Sequence, residues 1–160
     1  MASKTETGTG GVTVTIKSSP EVYWMELQNS TIIYPFAIPE LYTSITPNPK
    51  NPNERTITYG PNSPNFKTST EITDNKEKAI VYRVTAGDIP SKYHVLDFKA
   101  VIFYPKDNNV AWTWTYNYAS DQKQSASKFE AAMEDIAKRT LQKLDQVDSN
   151  TALSKLAILN

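Results

Sequence analysis

At Ser125 the spacing of apolar side chains changes period. Upstream, short stretches alternate apolar and polar residues. Downstream, Phe129, Met133, Ile136, Ala137, Thr140, Leu141, Leu144 and Val147 recur at steps of three and four. The first pattern is that of extended strands and the second that of a helix with one buried face. A chain built this way has few means of burying its apolar surfaces. The economical one is an antiparallel sheet with a single long helix laid against it.

The rest of the chain fits that plan. Residues 1–10 are small, polar and glycine-containing and are expected to be disordered. Residues 11–17 read as a strand. Ser19, Pro20 and Glu21 then form a helix start, with Ser19 as cap and Glu21 at the positive end. Pro35 and Pro39 allow a short second helix between residues 31 and 38. Strands follow at 41–46, 55–60, 66–73, 77–86, 92–104 and 110–119, joined by short turns that imply a meander. The expected architecture is α+β: a seven-stranded curved antiparallel sheet wrapped around a long C-terminal helix, with two short helices after the first strand. The expected domain is a single one over residues 11–147, and residues 148–160 form a tail that extends or caps the helix.

Composition narrows the chemistry. Seventeen basic residues balance seventeen acidic ones, which gives no overall field for nucleic acid or an anionic membrane. With no cysteine and one histidine, His94, thiolate and histidine-rich metal sites are excluded from this chain alone. Neither a P-loop nor a nucleotide-binding glycine fingerprint occurs. The N-terminus lacks the apolar segment of a secretory leader, and no run approaches the roughly 20 apolar residues of a membrane span. The expected location is cytoplasmic.

Strand faces suggest where a ligand would sit. In VAWTWTYNYA, residues 110–119, the side chains of Trp112, Trp114, Tyr116 and Tyr118 share one face. In 92–104, keeping Asp97 and Lys99 outside places His94, Leu96, Phe98, Ala100, Ile102 and Tyr104 inside. Ile80, Tyr82 and Val84 belong inside by the same test against Arg83. So many amphipathic tips aimed at one volume suit a pocket with an apolar wall and a few placed hydrogen bonds. The expected wall consists of Ile80, Leu96, Phe98, Ile102, Trp112, Trp114 and Tyr118 from the sheet. Leu27, Ile33, Tyr34 and Ile38 complete it from the short helices, and Met133, Ala137 and Leu141 from the long one. Asp88 reads as a turn residue, and Glu26 and Asp97 as solvated charges.

The stretches KAIVYRVTAGDIPSKYHVLDFKAVIFYP (78–105) and VAWTWTYNYA, with the helix from Ser125, resemble the major latex protein branch of the Bet v 1-like plant proteins. The likeness covers roughly residues 11–147. It implies an apolar cavity enclosed by sheet and helix, with relatives that bind flavonoids, steroids, cytokinins or alkaloids. Some relatives act as cyclases, isomerases or condensing enzymes without metal or organic cofactor. Where many of these proteins carry a glycine-rich loop, PNPKNPNE (47–54) has no glycine, so the resemblance does not carry that loop's functions to this chain. Lys92 and Lys99 do not match the lysine-centred site of the condensing enzymes.

Two functional readings follow. One is a cofactor-free cyclase or isomerase acting on a terpenoid or alkaloid intermediate, with His94, Tyr82 and Tyr116 as proton-transfer candidates. The other is a non-catalytic carrier or sensor. The expected partner is a small hydrophobic metabolite, with an enzyme of the same pathway as a further candidate, and neither nucleic acid nor membrane is expected.

Overall fold

The computed structural model describes residues 4–159. Strand β1 (Thr5–Thr15) is followed by helices α1 (Pro20–Gln28) and α2 (Ser30–Ala37). A meander comes next: β2 (Tyr42–Asn48), β3 (Asn51–Tyr59), β4 (Thr68–Asn75) and β5 (Ala79–Gly87). The four-residue helix α3 (Asp88–Ser91) precedes β6 (Leu96–Phe103) and β7 (Asn109–Ala119). Helix α4 (Lys123–Leu144) and helix α5 (Ser149–Leu159) complete the chain. The seven strands form one antiparallel sheet in the order β1-β7-β6-β5-β4-β3-β2. Phe129, Met133, Ile136, Ala137, Leu141 and Leu144 of α4 are buried in the core, as their spacing requires.

The N-terminal segment departs from expectation. Residues 5–10 are strand, paired with β7 from Thr5↔Ala119 through Gly10↔Trp114. Low apolar content suggested disorder, but here glycine serves space rather than flexibility. A Cβ on Gly8 would overlap the Tyr116 ring, and one on Gly10 would overlap Trp114 and the Glu130 carboxylate. The large rings of β7 lie over the bare backbone of β1, an exchange of bulk between paired strands. Gly10→Ala is therefore expected to cost about 1–3 kcal/mol by overpacking and to lower the melting temperature by several degrees. Thr9→Ala, at an exposed position of the same strand, should change little in the same thermal melt.

Two further segments differ from their sequence reading. The proline-rich 47–54 stretch is the β2–β3 hairpin, paired as far as Asn48↔Asn51. Prolines fit because β2 is an edge strand and Pro52 lies beyond the last β3–β4 pair, Glu54↔Ile72. The C-terminal tail is helical and docked. Ala152 and Leu156 of α5 are buried in the same core, so the folded unit extends past residue 147.

The most consequential departure lies before and within β6. His94 and Asp97 both have positive φ, at 57° and 51°, and a register shift separates the Leu96 and Lys99 pairs with β7. Tyr93 and Val95 point inward upstream of this bulge, and Phe98, Ala100 and Ile102 point inward downstream. Strict alternation put His94 and Leu96 inside, but the bulge slips the phase. His94 is exposed and Leu96 is 48% exposed. Asp88, read as a turn residue, starts α3 and accepts a hydrogen bond from the Lys67 backbone N–H.

Candidate ligand site between the sheet and helix α4

Between the sheet and α4 lies a hollow of about 30 Å3 open to the centre of a water molecule, space for about two waters. The expectation of a roomy cavity does not hold. Aromatic side chains fill the interior in a continuous series, Tyr34–Tyr42–Tyr59–Phe66, with successive ring centroids 4.9, 5.6 and 5.5 Å apart. Phe66, Tyr93, Phe98 and Tyr116 all close on Phe129 of α4 within 6.4 Å.

What the hollow lacks in size it holds in polar groups. At its inner wall, Arg55 of β3 and Glu71 of β4 sit opposite each other in the ladder and form a buried ion pair. Arg55 Nε donates to Glu71 Oε1 at 2.8 Å, and Nη2 lies 2.7 Å from the same oxygen. Arg55 Nη1 donates to Ser30 Oγ at 2.6 Å and to Thr31 Oγ1 at 2.9 Å, tying the start of α2 to the sheet. Burial opposes the guanidinium charge, but the Glu71 carboxylate outweighs it and raises the Arg55 pKa. Both contacts use Glu71 Oε1, so Oε2 takes no part in the ion pair. Two residues along the same strand, Ser69 Oγ is fully buried without a well-formed hydrogen bond; its hydroxyl neighbour is Tyr59, whose phenolate it favours against the larger effect of burial.

Four tyrosines surround this pair: Tyr34, Tyr42, Tyr59 and Tyr82. Burial pushes all four phenol pKa values upward, so they remain protonated at neutral pH. Tyr42 is committed, because Thr140 Oγ1, 2.7 Å away, gives its own proton to the Ile136 carbonyl and so must accept from Tyr42. Tyr82 is not committed. Its oxygen accepts from Trp112 Nε1 at 3.1 Å, which leaves the phenolic proton to give. Leu27, Ile57, Ile80, Ile102, Met133 and Ile136 supply apolar wall.

The residues singled out from the sequence fall into three groups. Tyr82, Leu27, Tyr34, Ile80, Ile102, Trp112 and Met133 line the hollow. Ile33, Ile38, Phe98, Trp114, Ala137 and Leu141 are buried elsewhere in the core, and Tyr118 is packed against it. Tyr116 is buried but turned to α4, where its hydroxyl donates to Glu130 Oε1 at 2.9 Å beside Trp114 Nε1 at 3.1 Å. His94 and Leu96 stand outside, so the three proton-transfer candidates do not converge. Sequence reading missed Arg55, Ser69 and Glu71. Hydrophobicity favours Ile72 as the inward residue of β4, yet Glu71 is 3% exposed and takes that side because Arg55 awaits it across the ladder. Glu26, expected in solvent, is 1% exposed with Oε2 unpartnered.

Comparison with known proteins agrees with this architecture. The Pathogenesis-related protein Bet v 1 family matches residues 6–146, and the chain belongs to that family. It is 31% identical over 112 residues to MLP-like protein 423 of Arabidopsis thaliana, covering 65% of this chain and 71% of the relative. Ginseng major latex-like protein 151 from Panax ginseng superposes with a TM-score of 0.68 at 12% identity, over 88% of this chain and 96% of that one. The di-domain aromatase/cyclase BexL of the BE-7585A biosynthetic pathway superposes with a TM-score of 0.67 at 10% identity. That match covers 88% of this chain, which spans half the length of the di-domain protein. Among the described residues no helix is long and apolar enough to cross a membrane.

Proposed function

We propose that this protein takes up a small, largely apolar metabolite between the sheet and α4 and acts on it as a cofactor-free cyclase or isomerase, on a terpenoid or alkaloid intermediate. One observation carries the reading: hydrogen-bonding capacity is left unspent inside an apolar shell, at the Tyr82 proton, Ser69 Oγ and Glu71 Oε2. Packing alone gives no reason to bury such groups. The structural likeness to an aromatase/cyclase supports the same reading. In this scheme Tyr82 donates to an oxygen on which charge develops. Glu71, the one carboxylate among the residues lining the hollow, accepts a proton from the neighbouring carbon.

A ten-carbon guest is several times larger than the hollow, so uptake requires wall side chains to move. Met133, unbranched and adaptable, is the wall residue best suited to yield. A carrier or sensor is the second reading. It is favoured by the position of His94 outside, which leaves the lining without an imidazole base.

The test combines binding and turnover. Ten- to fifteen-carbon terpenoid and alkaloid intermediates are screened by native mass spectrometry, and each retained compound is followed by chromatography for conversion. Tyr82→Phe is expected to keep affinity within about threefold and to slow turnover by about 100-fold or more. Parallel loss of affinity and turnover favours the carrier, and retention of no compound overturns both readings.

A further inference from the structure

The unspent groups differ in kind, and the difference specifies a ligand class. Ser69 and Glu71 are neighbours on the inward face of β4, about 7 Å apart along the strand. Glu71 Oε2 only accepts, and Ser69 Oγ both donates and accepts. One hydroxyl lodged between them would give its proton to Glu71 and receive one from Ser69, so that it is satisfied in both directions. A carboxylate guest has no such fit. It would face the Glu71 oxygen, while four of the five guanidinium N–H groups are already engaged by Glu71, Ser30 and Thr31. The Arg55–Glu71 pair is neutral as a unit, so a second buried charge of either sign would lack a counter-charge. A hydrocarbon guest would leave Ser69 Oγ with only the loosely placed Tyr59 hydroxyl beside it.

Resting on the binding reading above, we propose that the Ser69–Glu71 edge of the hollow docks a neutral guest through a hydroxyl group. The site thereby selects alcohols, phenols or enols over the corresponding hydrocarbons and carboxylates. The same contact fixes the guest's orientation, with its apolar body against Ile80, Ile102 and Met133.

Three probes of nearly one shape isolate the effect: thymol, p-cymene and 4-isopropylbenzoate. Isothermal titration of the intact protein is expected to show thymol binding about tenfold more tightly than p-cymene, with the benzoate weakest. Burial of an unpartnered hydroxyl would give the opposite order for the first two. Ser69→Ala should reduce the thymol preference several-fold, chiefly by weakening thymol. The paired replacement Arg55→Met with Glu71→Leu should abolish it. If thymol binds no better than p-cymene, or the benzoate binds best, the hydroxyl assignment is wrong while the binding reading stands. If none of the three binds, the binding reading falls and this assignment falls with it.

Discussion

Replacing Glu71 alone by leucine should lower the melting temperature by about 10 °C, whereas replacing Arg55 by methionine at the same time should recover most of the loss. The side chains of the pair are only 15% and 5% exposed. Removing the carboxylate strands a guanidinium that retains Ser30 and Thr31 but no counter-charge. A buried charge left this way costs about 3–5 kcal/mol, and each kcal/mol is worth about 2–4 °C in a domain of this size. Two well-packed apolar residues in place of the pair carry no such cost. The four proteins of this double-mutant cycle, melted under circular dichroism, measure the coupling directly. A double variant no more stable than Glu71→Leu would show that the pair is not the source of the loss.

The second large effect depends on pH. Glu26 on α1 is buried, and burial, with a smaller contribution from the Asp145 carboxylate, pushes its pKa up to about 7. Asp145 is fixed in place by the Lys17 and Ser18 backbone N–H groups and the Ser18 hydroxyl. The folded protein therefore holds the Glu26 proton more tightly than the unfolded chain, whose carboxyl titrates near 4.5. The stability it contributes is complete below that lower value and is lost as pH rises through about 7. A shift of this size corresponds to about 3 kcal/mol. Glu26→Gln should remove the slope, leaving the variant more stable than the parent by up to about 3 kcal/mol at pH 8 and close to it at pH 4.5. Urea unfolding at pH 5, 6, 7 and 8 reads this out, and parallel curves for the two proteins would count against it.

Glu26 and Glu71 differ in how far sequence reading reaches them. The period change at Ser125 and the alternating segments before it were enough for the sheet and the helix, because patterns sustained over many residues average out local exceptions. Glu26 was within reach as well: Tyr23, Leu27 and Ser30 recur at steps of three and four, and Glu26 belongs to that buried face. Only its charge argues for solvent. Arg55 and Glu71 were harder, since each is unremarkable within its own strand. Only the β3–β4 register, a relation between segments, makes them a pair. Gly8 and Gly10 read as part of a disordered segment because their role is defined by the bulk of a strand more than 100 positions away. The volume of the hollow depends on how the rings of Tyr34, Tyr42 and Tyr59 tilt, which no periodicity encodes.

The phase slip at the start of β6 has a consequence for how related chains diverge. Ala100 and Ile102 are held by pairing on both flanks, whereas Tyr93 and Val95 lie beyond the slip and take their orientation from the two left-handed residues. A single insertion or deletion between positions 93 and 97 would swap which upstream side chains reach the interior and leave the rest of the sheet undisturbed. Segment length at that point, rather than amino-acid exchange, thus becomes a dial by which kin of this chain could alter their lining in one genetic step.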